Sequence, residues 1–110
     1  MRVIRPRNFD RRARRAGLDE DDLADLIKTL VERPNLGAVI PGTGGARKVR
    51  LRLPGHGKRG GARVIYAVVL RATALALLDV YAKSEQEDLT VAERKVIAAL
   101  IRDIETGFEP

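Results

Sequence analysis

The chain of 110 residues carries 21 Lys and Arg against 15 Asp and Glu, a formal net charge of +6, and its length and 45% hydrophobic content predict one globular domain, residues 1–110. It has no cysteine and a single histidine, His56, which excludes disulfides, thiolate zinc sites, a cysteine nucleophile and multi-histidine metal clusters, and favours a reducing, cytoplasmic location. The longest apolar run, residues 64–82, is interrupted by Arg71 and Asp79, and the N-terminus lacks the apolar segment of a signal peptide, so we expect no membrane contact.

Two helices are predicted in the first third of the chain. A short one covers residues 9–16 and ends at Gly17. The second begins at Asp19, whose carboxylate can accept hydrogen bonds from the free N–H groups of the first turn, and the acidic residues after it suit the positive end of the helix dipole. Pro34 stops this helix, whose apolar residues repeat with the spacing of one helix face at Leu23, Leu26, Ile27, Leu30 and Val31.

Three strands are predicted in the middle of the chain. In residues 46–53 apolar and cationic residues alternate, which places Lys48, Arg50 and Arg52 on one face of the sheet. Residues 63–70 are apolar on both faces, a pattern typical of a central strand that is covered on both sides. Residues 74–83 follow after a short connection, so these two strands should pair antiparallel. Residues 2–5 are a candidate edge strand.

The last predicted element is a C-terminal helix of about four turns. Thr90 and Glu93 have the spacing of a capping box at its start, and its apolar face consists of Ile97, Leu100, Ile101 and Ile104. The order of elements predicts an α+β fold, a small antiparallel sheet with two N-terminal helices and one C-terminal helix, and we expect the helices on one face of the sheet.

Positive charge is concentrated in the middle of the chain. Residues 34–78 contain no Asp or Glu, whereas the cations from residue 33 to residue 71 are Arg33, Arg47, Lys48, Arg50, Arg52, Lys58, Arg59, Arg63 and Arg71. A second basic run consists of Arg11, Arg12, Arg14 and Arg15. Segregated charge of one sign creates a strong local potential, so we predict a face that binds polyanions; a surface that is basic only for solubility would intersperse acids.

A glycine-rich segment, residues 55–60, formally fits the G-x-G-x-x-G pattern of dinucleotide-binding loops. That pattern needs a helix N-terminus after the glycines to bind the pyrophosphate, but strand sequence follows here. We interpret the segment as a hairpin tip that brings Lys58 and Arg59 to a phosphate; the alternative is a turn that is cationic without function. His56 in this tip is a candidate general base because imidazole titrates near neutral pH, although a glycine-rich loop positions it poorly.

Two tyrosines lie on predicted strands. A tyrosine there is most often half-buried core with its hydroxyl at the rim, and base stacking is the functional alternative. We predict a core role for Tyr66. For Tyr81, which lies close to Lys83 at a strand end, we favour the functional site.

Three motifs together resemble a known family. They are residues 42–50 (GTGGARKVR), residues 57–66 (GKRGGARVIY), and residues 80–85 (VYAKSE) followed by Asp88 and Leu89. They occur in order and at suitable spacing, and over residues 18–104 the chain resembles the HigB branch of the RelE-type toxins of bacterial toxin–antitoxin pairs. The resemblance implies a ribosome-dependent endoribonuclease that cleaves mRNA in the ribosomal A site without a metal or other cofactor.

The resemblance also implies roles for individual residues. In this family the 2′-hydroxyl of the RNA attacks the neighbouring phosphodiester, so the protein has to orient the phosphate and stabilise charge. Arg63 is the first candidate for a ligand of the scissile phosphate, since an arginine fork binds phosphate through two N–H groups. The predicted catalytic residues are Arg63, Lys83, Tyr81 and Lys48, and the predicted RNA-binding residues are Arg47, Arg50, Arg52, Lys58 and Arg59. Ser84 stands where relatives often have an arginine, so the proton donor and acceptor stay open.

Partners follow from the same resemblance. It implies a cognate HigA-type antitoxin with a helix-turn-helix domain, through which the pair would contact operator DNA, together with the ribosome and mRNA. Two alternatives stay open. One is a non-catalytic RNA- or ribosome-binding module, because only His56 titrates near neutral pH; it would bind RNA without producing new RNA ends. The other is an inactive toxin that acts as a co-repressor with its antitoxin.

Overall fold

The computed structural model describes residues 1–52 and 61–108. In chain order the elements are β1 (Arg2–Ile4), α1 (Arg7–Ala16), α2 (Glu20–Glu32), β2 (Ala38–Val39), β3 (Arg47–Leu51), β4 (Ala62–Val69), a 3-10 turn (Leu70–Ala72), β5 (Ala74–Ala82) and α3 (Val91–Glu105). The predicted α+β class, the three helices and the three central strands are confirmed.

The helix starts follow from capping. The Asp19 carboxylate accepts a hydrogen bond from the Asp22 N–H at 2.8 Å, and the Asp22 carboxylate accepts one from the Asp19 N–H at 2.9 Å, which fixes the start of α2. Thr90 and Glu93 exchange the same pair of bonds at the start of α3. Both starts are therefore where the sequence predicted them. Helix α1 begins at Arg7, two residues before its predicted start.

The five strands form one sheet in the order β1-β5-β4-β3-β2. The pairs β2–β3, β3–β4 and β4–β5 are antiparallel, but β1 runs parallel to β5. The predicted antiparallel pairing therefore holds for β2 to β5, and the parallel β1 makes the whole sheet mixed. The direction of β1 could not be read locally, because its partner lies some 70 residues along the chain and no tight turn joins them. The two-residue β2 was missed because it is too short to show alternation.

The helices cover both faces of the sheet, which corrects the expectation that they lie on one. Helices α1 and α2 pack on the face that presents Val64, Tyr66, Leu75 and Leu77. Helix α3 packs on the other face, which presents Ile65, Ala67, Val69, Ala74 and Ala76. Because β4 and β5 are apolar on both faces, helices on one face alone would leave the second set in water.

The pairing of β4 with β5 contains a bulge. Ile65 lies opposite Asp79, whereas the next residue, Tyr66, lies opposite Leu77, so Leu78 is an extra residue on β5. A bulge shifts the register by one residue and thereby changes which side chains share a face. Its consequence is that Tyr81, rather than Val80, lies opposite Arg63 at the far end of the hairpin.

Candidate nucleic-acid interface

A row of three polar side chains crosses the sheet where β4 begins. Arg50 on β3 lies opposite Arg63 on β4, and Arg63 lies opposite Tyr81 on β5. Residues opposite each other in antiparallel strands project from the same face. This is the face on which α3 packs, at the end away from the Leu70–Ala72 turn that α3 contacts.

The register continues into a second row beside the first. The Lys83 N–H donates to the Gly61 carbonyl at 3.0 Å, so Lys83 lies opposite Gly61, one pair beyond the end of β5. A Cβ on Gly61 would lie 2.1 Å from the Leu51 carbonyl oxygen and 3.2 Å from the Arg52 Cα, so the chain there passes against the end of β3. Gly61 has no side chain, so in this row none lies between Arg52, which is exposed, and Lys83, which is half-buried. Arg52 and Lys83 therefore lie beside the row of Arg50, Arg63 and Tyr81.

Arg63 is the most buried cation of the site, with 7% of its surface exposed. Its Nη1 donates to the Ala62 carbonyl at 3.3 Å. A guanidinium stays charged at every relevant pH, and burial reduces the screening of that charge by water. Arg63 is thus a fixed positive charge beneath the surface, whereas its neighbour Arg50 is exposed.

Tyr81 is 4% exposed, and its hydroxyl has no hydrogen-bond partner in the described part of the chain. Burial, reinforced by the negative charge of Asp88, raises the pKa of the Tyr81 hydroxyl to about 12. At neutral pH the hydroxyl therefore keeps its proton and can donate it in a hydrogen bond. The predicted core role of Tyr66 is confirmed: its buried hydroxyl donates to the Pro34 carbonyl and accepts from the Gly37 N–H, both at 2.8 Å.

Both predicted catalytic lysines are paired with carboxylates from the segment between β5 and α3. Lys48 Nζ lies 3.6 Å from Asp88 Oδ1, and Lys83 forms an ion pair with Glu87. The hydrogen bond from Lys83 lowers the pKa of Glu87, and the Leu89 N–H followed by Lys48 lowers the pKa of Asp88. These carboxylates are half or more exposed, so the pairs can open at little cost when an anion competes. The sequence analysis did not predict these ion pairs. The signal for them in the sequence was the two acidic residues, Glu87 and Asp88, that follow shortly after the last strand.

Arg47 is separated from this cluster. Its residue lies opposite Tyr66, on the face of α1 and α2, and its guanidinium donates to the Gly37 carbonyl at 2.7 Å and to the Asn35 carbonyl at 3.4 Å. The structure thus gives Arg47 a role in holding the segment between α2 and β2. Its predicted RNA contact stays a prediction. His56, Lys58 and Arg59 lie outside the described residues.

Every side chain of the cluster of Arg50, Arg52, Arg63, Lys48, Lys83 and Tyr81, called the sheet site below, can donate a hydrogen bond. Arginine and lysine carry no acceptor, and the phenol that keeps its proton supplies one more donor. Such a set can bind a phosphodiester and stabilise further negative charge on it.

Two kinds of feature are absent from the described residues. Over residues 1–52 and 61–108 no helix is both long and apolar enough to cross a lipid bilayer. Within those same ranges, no three side chains of His, Cys, Asp or Glu lie close enough together to hold a metal ion.

Comparison with known proteins adds two findings. A family model described as the RelE toxin of the RelE / RelB toxin–antitoxin system matches residues 1–106, which includes β1 and α1 in addition to the region of the three motifs. The solved structure of a mutant of the E. coli toxin RelE in the free state is similar at a TM-score of 0.57 and 19% sequence identity, covering 90% of this chain and 94% of that chain. At this identity the likeness establishes the fold.

Proposed function

The chain belongs to the RelE family of toxins of toxin–antitoxin systems, and from this premise we propose that it is a ribosome-dependent endoribonuclease that cleaves mRNA in the ribosomal A site. The observation that supports the proposal is the row of Arg50, Arg63 and Tyr81, three hydrogen-bond donors on one face of the sheet with Lys83 beside them. Family membership alone gives a toxin with an antitoxin partner; the row is what makes phosphodiester chemistry physically reasonable on this chain.

In the proposed reaction the RNA supplies its own nucleophile. The 2′-hydroxyl of one nucleotide gives up its proton as its oxygen bonds to the adjacent phosphorus, and the bond from that phosphorus to the 5′-oxygen of the next nucleotide breaks, so one proton moves overall from the 2′-oxygen to the 5′-oxygen. The products are a 2′,3′-cyclic phosphate and, once the leaving oxygen has taken up a proton, a 5′-hydroxyl. Negative charge grows on the phosphate oxygens in the transition state. Donors held in place before the reaction stabilise that charge without having to reorganise.

We assign the scissile phosphate to Arg63, because a guanidinium can bind a phosphate through two parallel N–H groups and this one lies in a poorly screened environment. Arg50, directly opposite on β3, would hold the same or the next phosphate. Lys48 and Lys83 would exchange Asp88 and Glu87 for phosphate oxygens when RNA binds.

Tyr81 is the proposed donor to the leaving 5′-oxygen. It lies opposite Arg63, its hydroxyl has no partner in the described part of the chain, and its raised pKa keeps it protonated at neutral pH. A buried donor without a partner gains a full hydrogen bond when the substrate supplies an acceptor.

The finer family assignment is also a proposal. The motifs in residues 42–50, 57–66 and 80–85 support the HigB branch, and with it a HigA-type antitoxin whose helix-turn-helix domain contacts operator DNA for the pair. The ribosome and mRNA are the other proposed partners, which places the protein in the cytoplasm.

The test is a reconstituted translation reaction with a defined mRNA, in which new 5′ ends are mapped with ribosomes present and absent. We compare the wild-type chain with Arg63→Ala and with Arg71→Ala, an exposed arginine in the turn at the opposite end of the same hairpin. Loss of one preorganised donor to a transition-state anion lowers a rate roughly 100- to 1,000-fold, so Arg63→Ala should lose the cuts while Arg71→Ala keeps them. Since Arg63 is buried, Arg50→Ala at its exposed neighbour provides a second variant that does not disturb the core.

Cuts confined to ribosome-bound mRNA and lost in Arg63→Ala would support the proposal. Salt-dependent binding to RNA or ribosomes without new 5′ ends would replace it with the non-catalytic binding module. Growth unaffected by overexpression, together with operator affinity that changes when the chain is added to its antitoxin, would favour the inactive co-repressor.

A further inference from the structure

Asp88 is an acidic residue that reaches over the sheet site. It lies in the segment between β5 and α3, and its carboxylate contacts two other elements: Oδ1 lies 3.6 Å from Lys48 Nζ on β3, and Oδ2 lies 3.7 Å from Arg94 Nη2 on α3. Of all charged groups, Asp88 also has the largest effect on the pKa of the Tyr81 hydroxyl, on β5. Strand β4 lies between β3 and β5, so a carboxylate close to both lies over β4, on the face from which Arg63 projects.

One oxygen of this carboxylate is available to a substrate. The Leu89 N–H donates to Asp88 Oδ1 at 2.8 Å, whereas Oδ2 accepts no hydrogen bond from any described residue. Both ion pairs of Asp88 are longer than a hydrogen bond, and about half of the side chain is exposed. The carboxylate is therefore held over the sheet while Oδ2 remains able to accept a proton.

The other carboxylates close to Tyr81 are engaged in the fold. Asp79 and Glu93 also act on the pKa of the Tyr81 hydroxyl, less strongly than Asp88. Asp79 is buried and forms an ion pair with Arg12 of α1 at 3.0 Å. Glu93 Oε1 accepts two hydrogen bonds at the start of α3. Of the three, Asp88 is the one that contacts a lysine of the sheet site and keeps an oxygen without a hydrogen bond.

Two buried donors close to Asp88 have no acceptor. In the described part of the chain, the Tyr81 hydroxyl and Arg94 Nε are the buried side-chain polar atoms without a hydrogen-bond partner. Asp88 is the neighbour that the two side chains share. A buried donor without a partner is unfavourable in the protein alone and gains a full hydrogen bond from a ligand that brings acceptors. Both therefore indicate that a ligand rich in acceptors, such as a phosphodiester, binds beside Asp88.

We propose that Asp88 is the proton acceptor of the cleavage reaction, the residue whose carboxylate takes the proton of the attacking 2′-hydroxyl. The inference rests on the function proposed above and fills the role that the sequence left open. The Leu89 N–H and then Lys48 lower the pKa of Asp88. When Lys48 turns to a phosphate oxygen, its share of that lowering is lost, so the carboxylate becomes a stronger base as RNA binds.

The protons of the reaction balance between Asp88 and Tyr81. As the 2′-oxygen bonds to phosphorus, its proton passes to Asp88 Oδ2, and as the bond to the 5′-oxygen breaks, the Tyr81 hydroxyl gives its proton to that oxygen. The protein is left with a protonated Asp88 and a Tyr81 phenolate. Transfer of the proton from Asp88 to Tyr81 restores both groups. It is downhill, because a phenol with a pKa of about 12 binds the proton far more tightly than a carboxyl, whose ordinary pKa is about 4.

The test follows single-turnover cleavage of a defined mRNA on programmed ribosomes by the full chain. Asp88→Asn keeps the size of the side chain and an acceptor for the Leu89 N–H, but it cannot take the proton. General acid–base catalysis contributes roughly 100- to 10,000-fold, so this variant should lower the cleavage rate by that factor. Asp88→Glu keeps a carboxylate and should retain more of the rate. The matched control Asp103→Asn, which removes an exposed carboxylate near the end of α3, should leave the rate unchanged.

Binding is measured separately with ribosomes whose A-site codon carries 2′-deoxynucleotides, since such a codon has no attacking hydroxyl. Asp88→Asn should bind this complex at least as tightly as wild type, because it removes a negative charge that competes for Lys48. A fall in affinity as large as the fall in rate would assign Asp88 to binding or to folding and overturn the proposal.

A substrate with sulfur in place of the leaving 5′-oxygen separates the two proton transfers. A thiolate leaves without being protonated, because a thiol is a far stronger acid than an alcohol. This substrate should restore the rate of Tyr81→Phe but not that of Asp88→Asn. Restored cleavage by Asp88→Asn would mean that Asp88 acts on the leaving group, which overturns the proposal.

The failure of this inference can be told apart from the failure of the proposed function. If the wild-type chain produces no cuts on ribosome-bound mRNA, the proposed function itself fails. If the wild type cuts and Asp88→Asn cuts ordinary mRNA equally fast, Asp88 takes no part in the reaction and only the present inference fails.

Discussion

Two tyrosines on adjacent strands offer a test of hydrogen bonding, because the same substitution should change the free energy of unfolding in opposite directions at the two positions. Tyr66 and Tyr81 are both buried, but Tyr66 makes two hydrogen bonds through its hydroxyl, whereas the hydroxyl of Tyr81 makes none in the described part of the chain. Replacing either by phenylalanine keeps the ring in place and removes only the oxygen. We expect Tyr66→Phe to destabilise the protein and Tyr81→Phe to stabilise it.

The magnitudes follow from the contacts. Removing the Tyr66 hydroxyl loses two bonds of 2.8 Å and leaves the Gly37 N–H and the Pro34 carbonyl without that partner; at about 0.5–1.5 kcal/mol for each bond, the loss is about 2 kcal/mol. A buried hydroxyl without a partner costs about 1–3 kcal/mol, so its removal at Tyr81 should stabilise by about 1 kcal/mol. For a domain of this size 1 kcal/mol corresponds to about 4–8 °C in Tm.

Urea unfolding followed by circular dichroism measures both variants against wild type, and the two should differ by about 3 kcal/mol in the free energy of unfolding. If Tyr81→Phe loses as much stability as Tyr66→Phe, the Tyr81 hydroxyl is hydrogen-bonded in solution, and the argument for it as a donor awaiting substrate is refuted. On the proposed function Tyr81→Phe also lowers the cleavage rate. A variant that is more stable and less active would separate catalysis from folding.

Three further outcomes test other features of the structure. Asp79→Asn should be stabilised relative to wild type by more at pH 7 than at pH 4, as measured by urea unfolding. Burial raises the pKa of Asp79 in the folded protein, so the folded state binds the proton more tightly than the unfolded chain does. The wild type therefore loses stability as the pH rises from the ordinary carboxyl pKa through the raised one. Gly61→Ala should lower the free energy of unfolding by well over the roughly 1–2 kcal/mol expected for Gly107→Ala. Both glycines have positive φ, but of these two positions only Gly61 would bring the new Cβ into collision with a backbone atom, the Leu51 carbonyl oxygen. Equal losses of Tm in the two variants would contradict this reasoning. Arg47→Ala should lower the free energy of unfolding by about 1–2 kcal/mol, because it loses hydrogen bonds to two loop carbonyls. Its affinity for single-stranded RNA should change little. A large loss of affinity in a fluorescence anisotropy titration would return Arg47 to the RNA-binding residues.

Features that depend on neighbours along the chain could be predicted well. The capping residues Asp19 and Thr90 mark the true helix starts, because a cap is a contact between residues three positions apart. The alternation in β3 correctly placed Lys48 and Arg50 on one face, because side chains in a strand alternate with a period of two whatever the partner strand is. The fold class followed from the order of these elements.

The candidate site was only partly predictable from the sequence, because it is built from residues that are far apart along the chain. The sequence placed Arg47 among the RNA contacts by its charge, yet the sheet turns that position toward α1 and α2, where loop carbonyls engage it. It also did not show that Asp88 and Glu87 pair with the two lysines, since the path of the segment after β5 depends on where α3 packs. The functional roles of the site residues stay predictions until the variants are measured.

By itself, the sequence determined the helices, the central strands, the cationic centre of the chain and the three motifs that resemble the RelE-type toxins. Only the tertiary structure decided that α3 covers the opposite face from α1 and α2, that β1 runs parallel to β5, and that the extra residue Leu78 brings Tyr81 opposite Arg63. The physical reason is that caps and periodicity are set by bonds and sterics within a few residues, whereas register, strand direction and the choice of face are set by pairing and burial between segments far apart in the chain.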